Sequence, residues 1–223
     1  MKTSPRWRQA VVWLHVVSSV AWMSQALALV VLMSLALTDP VPAATAMADR
    51  LDSVLLAPMA NVSAFTGLLL AGATAWGYFR YWWVLTKFAL TFIQLYAGIF
   101  LLSPALRASV DTGTATWAQI AGASLMASAL SFQAWLSIAK PGKKTPWSPA
   151  AKPPGAPSWV FAAGVGASAF DVVTGILLGY PLPALSLVML IVLGLERRRR
   201  RRRAQPPTVR SLRSAPGNSS PTT

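Results

Sequence analysis

The 223-residue sequence has no cysteine and a single histidine, His15. The first absence excludes disulfides, zinc–thiolate sites, iron–sulfur clusters and cysteine nucleophiles. The second excludes a metal centre built from several imidazoles of one chain, and no metal site is expected. Acids are scarce too: six Asp and Glu stand against twenty Lys and Arg, for a net charge of +14. Charged residues make up 12% of the chain, about half the share usual in a soluble domain. No stretch has the composition of a separate soluble domain.

What the chain has instead is apolar sequence: 54% of its residues, with a mean hydropathy of +0.49. Long apolar runs alternate with short polar stretches, the pattern of membrane spans. The expected fold is all-α, a polytopic transmembrane helix bundle occupying residues 1–195. Its spans run over about 10–37, 55–76, 82–103, 115–139, 159–179 and 183–195. The first run exceeds the 7–15 residues of a signal-peptide core and carries His15 and Gln25, so it reads as a span. Thr38-Asp39-Pro40 ends it, and Pro104 is expected to end the third. Pro58 lies near the start of the second.

Residues 159–195 are almost wholly apolar. As one helix they would reach about 55 Å, against a hydrocarbon core of about 30 Å. The break is expected at Gly179-Tyr180-Pro181-Leu182-Pro183. The result is four long spans plus a C-terminal helical hairpin, six segments in all, whose last member is short enough to be re-entrant.

Charge sets the orientation. With the N-terminus inside, 17 of the twenty basic residues lie inside. The outside receives Arg50 and Arg107 with Asp39, Asp49, Asp52 and Asp111 in its loops. The positive-inside rule then predicts both termini in the cytoplasm, at the cell membrane. Most of the tryptophans and tyrosines fall toward the same inner interface, with Trp22 as the exception. The run Arg197, Arg198, Arg199, Arg200, Arg201, Arg202 and Arg203 opens a basic tail, residues 196–223, expected to be disordered and cytoplasmic. Its expected partners are the bilayer and anionic lipid head groups. The basic residues flank spans, so no specific nucleic acid is implied.

Polar residues recur at helical spacing inside the apolar runs. His15, Ser18, Ser19, Trp22 and Gln25 share one face of the first span. Trp83, Lys87, Thr91, Gln94 and Gly98 share one face of the third. Ser124, Ser128, Ser131 and Trp135 mark the fourth, and Gly164, Ser168, Asp171 and Gly175 the fifth. In lipid such groups turn toward the bundle interior, where they find partners. The candidate intramembrane site is therefore His15, Trp22, Gln25, Lys87, Thr91, Gln94 and Asp171. His15 and Lys87 enter from the same side to similar depth. A lysine so placed can instead snorkel along its own stem, and the serines and glycines also suit plain helix packing. Asp171, deeper in its span, cannot snorkel far and needs a partner.

Two stretches, WLHVVSSVAWM and WGYFRYWWVLTKFALTFIQLYAGI, resemble a family of small bacterial integral membrane proteins of actinobacterial type, classed as a domain of unknown function. That resemblance implies a membrane fold and no activity. A more distant similarity reaches copper-resistance D-type membrane proteins and membrane protoporphyrinogen oxidases, through His15 to Trp22 and, for the oxidases, Lys87. The latter similarity implies haem, with His15 as axial ligand. Gln94 and Tyr96 stand where a second histidine would be expected, and the ligands for copper are missing. Three functions follow: a small-solute or proton pathway or assembly factor, a haem-linked oxidoreductase, or a scaffold with a lipid-binding tail.

Overall fold

A computed structural model describes residues 5–39, 42–148, 155–178 and 182–204. Its elements are α1 (Pro5–Thr38), α2 (Pro42–Leu51), α3 (Ala57–Ala73), α4 (Trp82–Ala97), α5 (Ser103–Thr112), α6 (Trp117–Ala139), α7 (Ser158–Leu178) and α8 (Ala184–Ala204). The fold is all-α, with no strand among the described residues. Five helices are long and apolar enough to cross a membrane: α1, the joined helix 42–73, the joined helix 82–112, α6 and α7.

The two joined helices depart from expectation. Residues 42–54, read as mostly loop, are helical, and the third span does not end at Pro104. In each case a π-helical turn carries the helix onward: Asp52–Leu56 joins α2 to α3, and Gly98–Leu102 joins α4 to α5. Each turn ends two residues before a proline, Pro58 or Pro104. A proline inside a helix lacks its N–H and drives its ring against the carbonyl four residues earlier. Those carbonyls, of Val54 and Phe100, lie within the π turns. The wider turn accommodates the ring without breaking the helix. The expectation rested on proline as a helix breaker, and it missed this device.

The helices α1, α3, α6 and α7 form the centre of the bundle. Small residues set the approach of α3 to α7: a Cβ on Gly164 would lie 2.3 Å from Leu69 Cδ2, so a larger residue there would force the buried Leu69 side chain to shift. One end of the bundle gathers the start of α1, the connection 74–81, residues 140–148 and 155–157, and the end of α8. It carries Arg6, Arg8, Arg80, Lys140, Lys143, Lys144 and the arginine run, and is called the basic end below. Its connections are tied together: Thr145 N–H donates to Arg80 O (3.0 Å), and Ala156 N–H to Ala73 O (2.8 Å). At the far end α2 and α5 pack beside the end of α1, burying Met33, Ala36, Ala44, Ala48 and Leu106. Trp117 lies at this far end, exposed.

The hairpin of α7 and α8 is present, with its connection 179–181 outside the described residues. The apolar part of α8 is 12 residues, Ala184–Leu195, about 18 Å long and shorter than the hydrocarbon core. The helix does not stop there. It continues through the arginine positions to Ala204, which corrects the boundary expected at 196. Residues 205–223, where the tail was expected to be disordered, lie outside the described residues.

Candidate functional site

The polar faces read from periodicity do turn inward on α1, α4 and α7. Ser18 and Trp22 are buried on α1, Gln94 on α4, and Gly164, Ser168, Asp171 and Gly175 on α7. They do not converge on one point. Three separate groups form, each between a different pair of helices.

The first lies between α1 and α3. His15 Nδ1 sits 3.0 Å from Ser63 O and 3.1 Å from Thr66 Oγ1. Ser19 Oγ and Ser63 Oγ are 2.6 Å apart. The His15 ring lies against Gly67, with Cε1 3.0 Å from where a Cβ would stand. This packing gives the imidazole hydrogen-bond partners on α3 through Nδ1. Further along the same face, Trp22 Nε1 and Gln25 Oε1 are buried with no hydrogen-bond partner among the described residues.

The second group lies between α4 and α6. Lys87 Nζ donates to Ser137 Oγ at 2.6 Å, and Ser137 Oγ donates to Gln133 O at 2.9 Å. Thr91 Oγ1 donates to Gln133 Oε1 at 3.1 Å, and Gln133 Nε2 donates to Gln94 Oε1. Gln94 Nε2 then donates to Met126 O at 3.1 Å. Counted from the helix ends at Ala139 and Trp82, the row begins about 3 Å from the basic end at Ser137. It finishes about 20 Å in, at Met126. The Lys87 stem leans toward the basic end, as a snorkelling lysine does. Its ammonium stops between the helices on Ser137, and no carboxylate pairs with it among the described residues.

Gln133 is the member the sequence reading passed over. Ser124, Ser128 and Ser131 marked the face of α6, yet Ser128, Ser131 and Trp135 are exposed. The buried face is Gln119, Ala123, Met126, Ala127, Leu130, Gln133 and Leu136. The signal was available: Gln119 and Gln133 are fourteen residues apart, close to four whole turns. His15 and Lys87 lie at similar depth, as expected, but no hydrogen bond joins them among the described residues.

The third group concerns Asp171. Its Oδ1 accepts from Leu185 N–H (3.0 Å) and its Oδ2 from Ser186 N–H (2.8 Å). These are among the first amides of α8, which have no carbonyl within their own helix. The carboxylate also faces the positive end of that helix's dipole. Asp171 is thus a cap supplied by a neighbouring helix, and it does not reach Lys87.

An apolar cavity of about 40 Å³ continues where the α4–α6 row stops. Met126 borders both, and the cavity runs on between Leu29, Met33, Leu56, Leu102 and Leu106 toward Asp52 and Gln119 at the far end. Asp52, expected in an outer loop, is 7% exposed and accepts a 2.6 Å hydrogen bond from Ser103 Oγ. Gln119 Nε2 donates to Ala105 O and Ser109 Oγ. No cluster of three or more metal-ligating side chains occurs among the described residues. No family model, no curated protein and no solved structure matches this chain.

Proposed function

We propose that this chain is a multi-pass protein of the cell membrane that serves as a small-solute or proton pathway, entered from the basic end at Lys87. One observation carries the reading. A lysine ammonium with no carboxylate partner among the described residues stands at the mouth of a hydrogen-bonded polar row that reaches Met126. Ionisable groups inside a span mark solute or ion paths, and a fixed positive charge at a narrow entrance concentrates anions and orients polar solutes. Beyond Met126 the lining is apolar, which is how a pore is closed by dewetting. The arrangement therefore reads as a pathway with a wet inner half and a closed outer half.

The orientation follows from charge: the basic end faces the cytoplasm, and the arginine positions of α8 meet anionic head groups there. A reporter active only outside the cell, fused to the C-terminus, should stay silent; activity would reverse the assignment.

The pathway itself is tested by reconstitution in liposomes loaded with a pH-sensitive dye or with small labelled anions. Wild-type protein should raise flux above empty liposomes, and Lys87→Met should lower it about tenfold. Wild-type flux equal to that of empty liposomes, or equal flux in the variant with correct insertion, would remove the proposal.

A further inference from the structure

A second, smaller cavity lies between α3, α7 and the start of α8, and it shares no lining residue with the α4–α6 row. Its apolar walls are Pro58, Val62, Val172, Leu182 and Pro183. Three polar side chains complete it: Asn61 of α3, Asp171 of α7 and Ser186 of α8. Asn61 stands 12 residues before Ala73, and Asp171 stands 13 residues after Ser158. They therefore lie about 18 and 20 Å from the basic end of their helices. That is well inside a hydrocarbon core about 30 Å thick, beyond the reach of bulk water.

Each polar side chain there has hydrogen-bonding capacity that the described residues leave unused. Asp171 accepts one amide on each of its two oxygens, and an ionised carboxylate has about four acceptor sites. Ser186 is 4% exposed. Its hydroxyl makes no hydrogen bond among the described residues, and neither does the side-chain amide of Asn61. A buried hydroxyl and amide without partners are costly in an apolar surrounding. One small molecule between the three side chains removes that cost. The cavity measures about 10 Å³, about one water-sized sphere.

We propose that this cavity is a binding site for one water molecule, which joins the three helices. The water donates one hydrogen to an unused lone pair of Asp171 and the other to Asn61 Oδ1, and it accepts the Ser186 hydroxyl. Three bonds are the usual complement of a buried water. The surrounding charges select water over an ion. An anion would face the Asp171 carboxylate. A cation would face the Leu185 and Ser186 N–H groups that already hold that carboxylate, at the positive end of the α8 dipole. Any larger solute exceeds the volume. The water thus extends the Asp171 cap to α3. The site does not depend on the pathway at Lys87, because it needs only the cavity and its three polar side chains.

The test is solid-state NMR of the full-length protein in bilayers, reading magnetisation transferred from water protons to isotope-labelled asparagine side chains. The chain has two asparagines, Asn61 and Asn218, and the signal lost in Asn61→Leu identifies the first. The Asn61 side chain should receive magnetisation from water despite its depth; no transfer in the wild-type protein would overturn the site. Ser186→Val, which puts methyl groups into the cavity, should abolish the transfer while insertion and helix content stay normal. Transfer that persists in that variant would overturn the shared site, because water would then reach Asn61 from elsewhere. Exchanging sodium for choline in the buffer should leave the wild-type transfer unchanged. Its loss in choline would assign the cavity to a cation and overturn the proposal.

Discussion

Asp171 of α7 holds the start of α8: its Oδ2 accepts the Ser186 N–H at 2.8 Å, and its Oδ1 the Leu185 N–H at 3.0 Å. The bond crosses between helices, so the acid's role is to fix one helix against another. Truncating the carboxylate leaves one buried amide, of Ser186, and one partly buried amide, of Leu185, without acceptors, the buried one costing about 1–3 kcal/mol and the other less. Asp171→Ala should therefore lower the unfolding free energy by about 2–4 kcal/mol, measured by denaturant titration in detergent. Asp171→Asn keeps one good acceptor oxygen and should lose less. A wild-type midpoint in Asp171→Ala would show that the cap is not used.

The paired glutamines Gln94 and Gln133 should behave as a unit. Gln133→Leu removes partners from both Gln94 and Thr91, a loss of about 1–3 kcal/mol for groups left unsatisfied. Replacing both glutamines by leucine leaves fewer orphans, and the double variant should be less destabilised than the sum of the singles. Additive losses in the double-mutant cycle would argue that the two side chains do not interact.

Gln25 offers a stabilising change. Its Oε1 is buried with no partner among the described residues, which costs about 1–3 kcal/mol. Gln25→Met keeps the length and shape of the side chain and removes the orphan, so stability should rise by about 1 kcal/mol. A fall in the thermal midpoint would mean that Oε1 is satisfied in the membrane, for instance by water.

The apolar outer half gives the pathway a gain-of-function test. Leu102 lines the cavity beyond Met126. If dewetting closes the path, Leu102→Asn should admit water and raise liposome flux above wild type, while Leu102→Ile should not. Unchanged flux in Leu102→Asn would place the barrier elsewhere.

Much of this arrangement was legible in the sequence, for a physical reason. His15, Ser18 and Trp22, or Lys87, Thr91 and Gln94, recur at helical spacing within apolar runs, and lipid drives such faces inward. The same logic misled on α6. Ser131 satisfies its hydroxyl on Ala127 O within its own helix, so a serine need not face the interior. A glutamine has no such recourse and is the better marker, as Gln119 and Gln133 show. Asp52 was hidden for a different reason. An alanine-rich, acidic stretch before an apolar run reads as a loop, and it takes Asp52 with it. The π turns that carry the helices past Pro58 and Pro104 depend on tertiary packing, which spacing alone does not reveal.

The short apolar part of α8 has a consequence for how the protein is made. Twelve apolar residues do not span the core, and the two amides that Asp171 receives lie at the buried end of this segment. Entering lipid alone, α8 would bring those amides in unsatisfied, and α7 would bring in a bare carboxylate. Each defect is the remedy for the other. The two helices therefore enter the bilayer as a closed pair, with the carboxylate already on the amides. The arginine positions in the last part of α8 carry charge that a hydrocarbon core does not accept, which limits how deep the hairpin can enter.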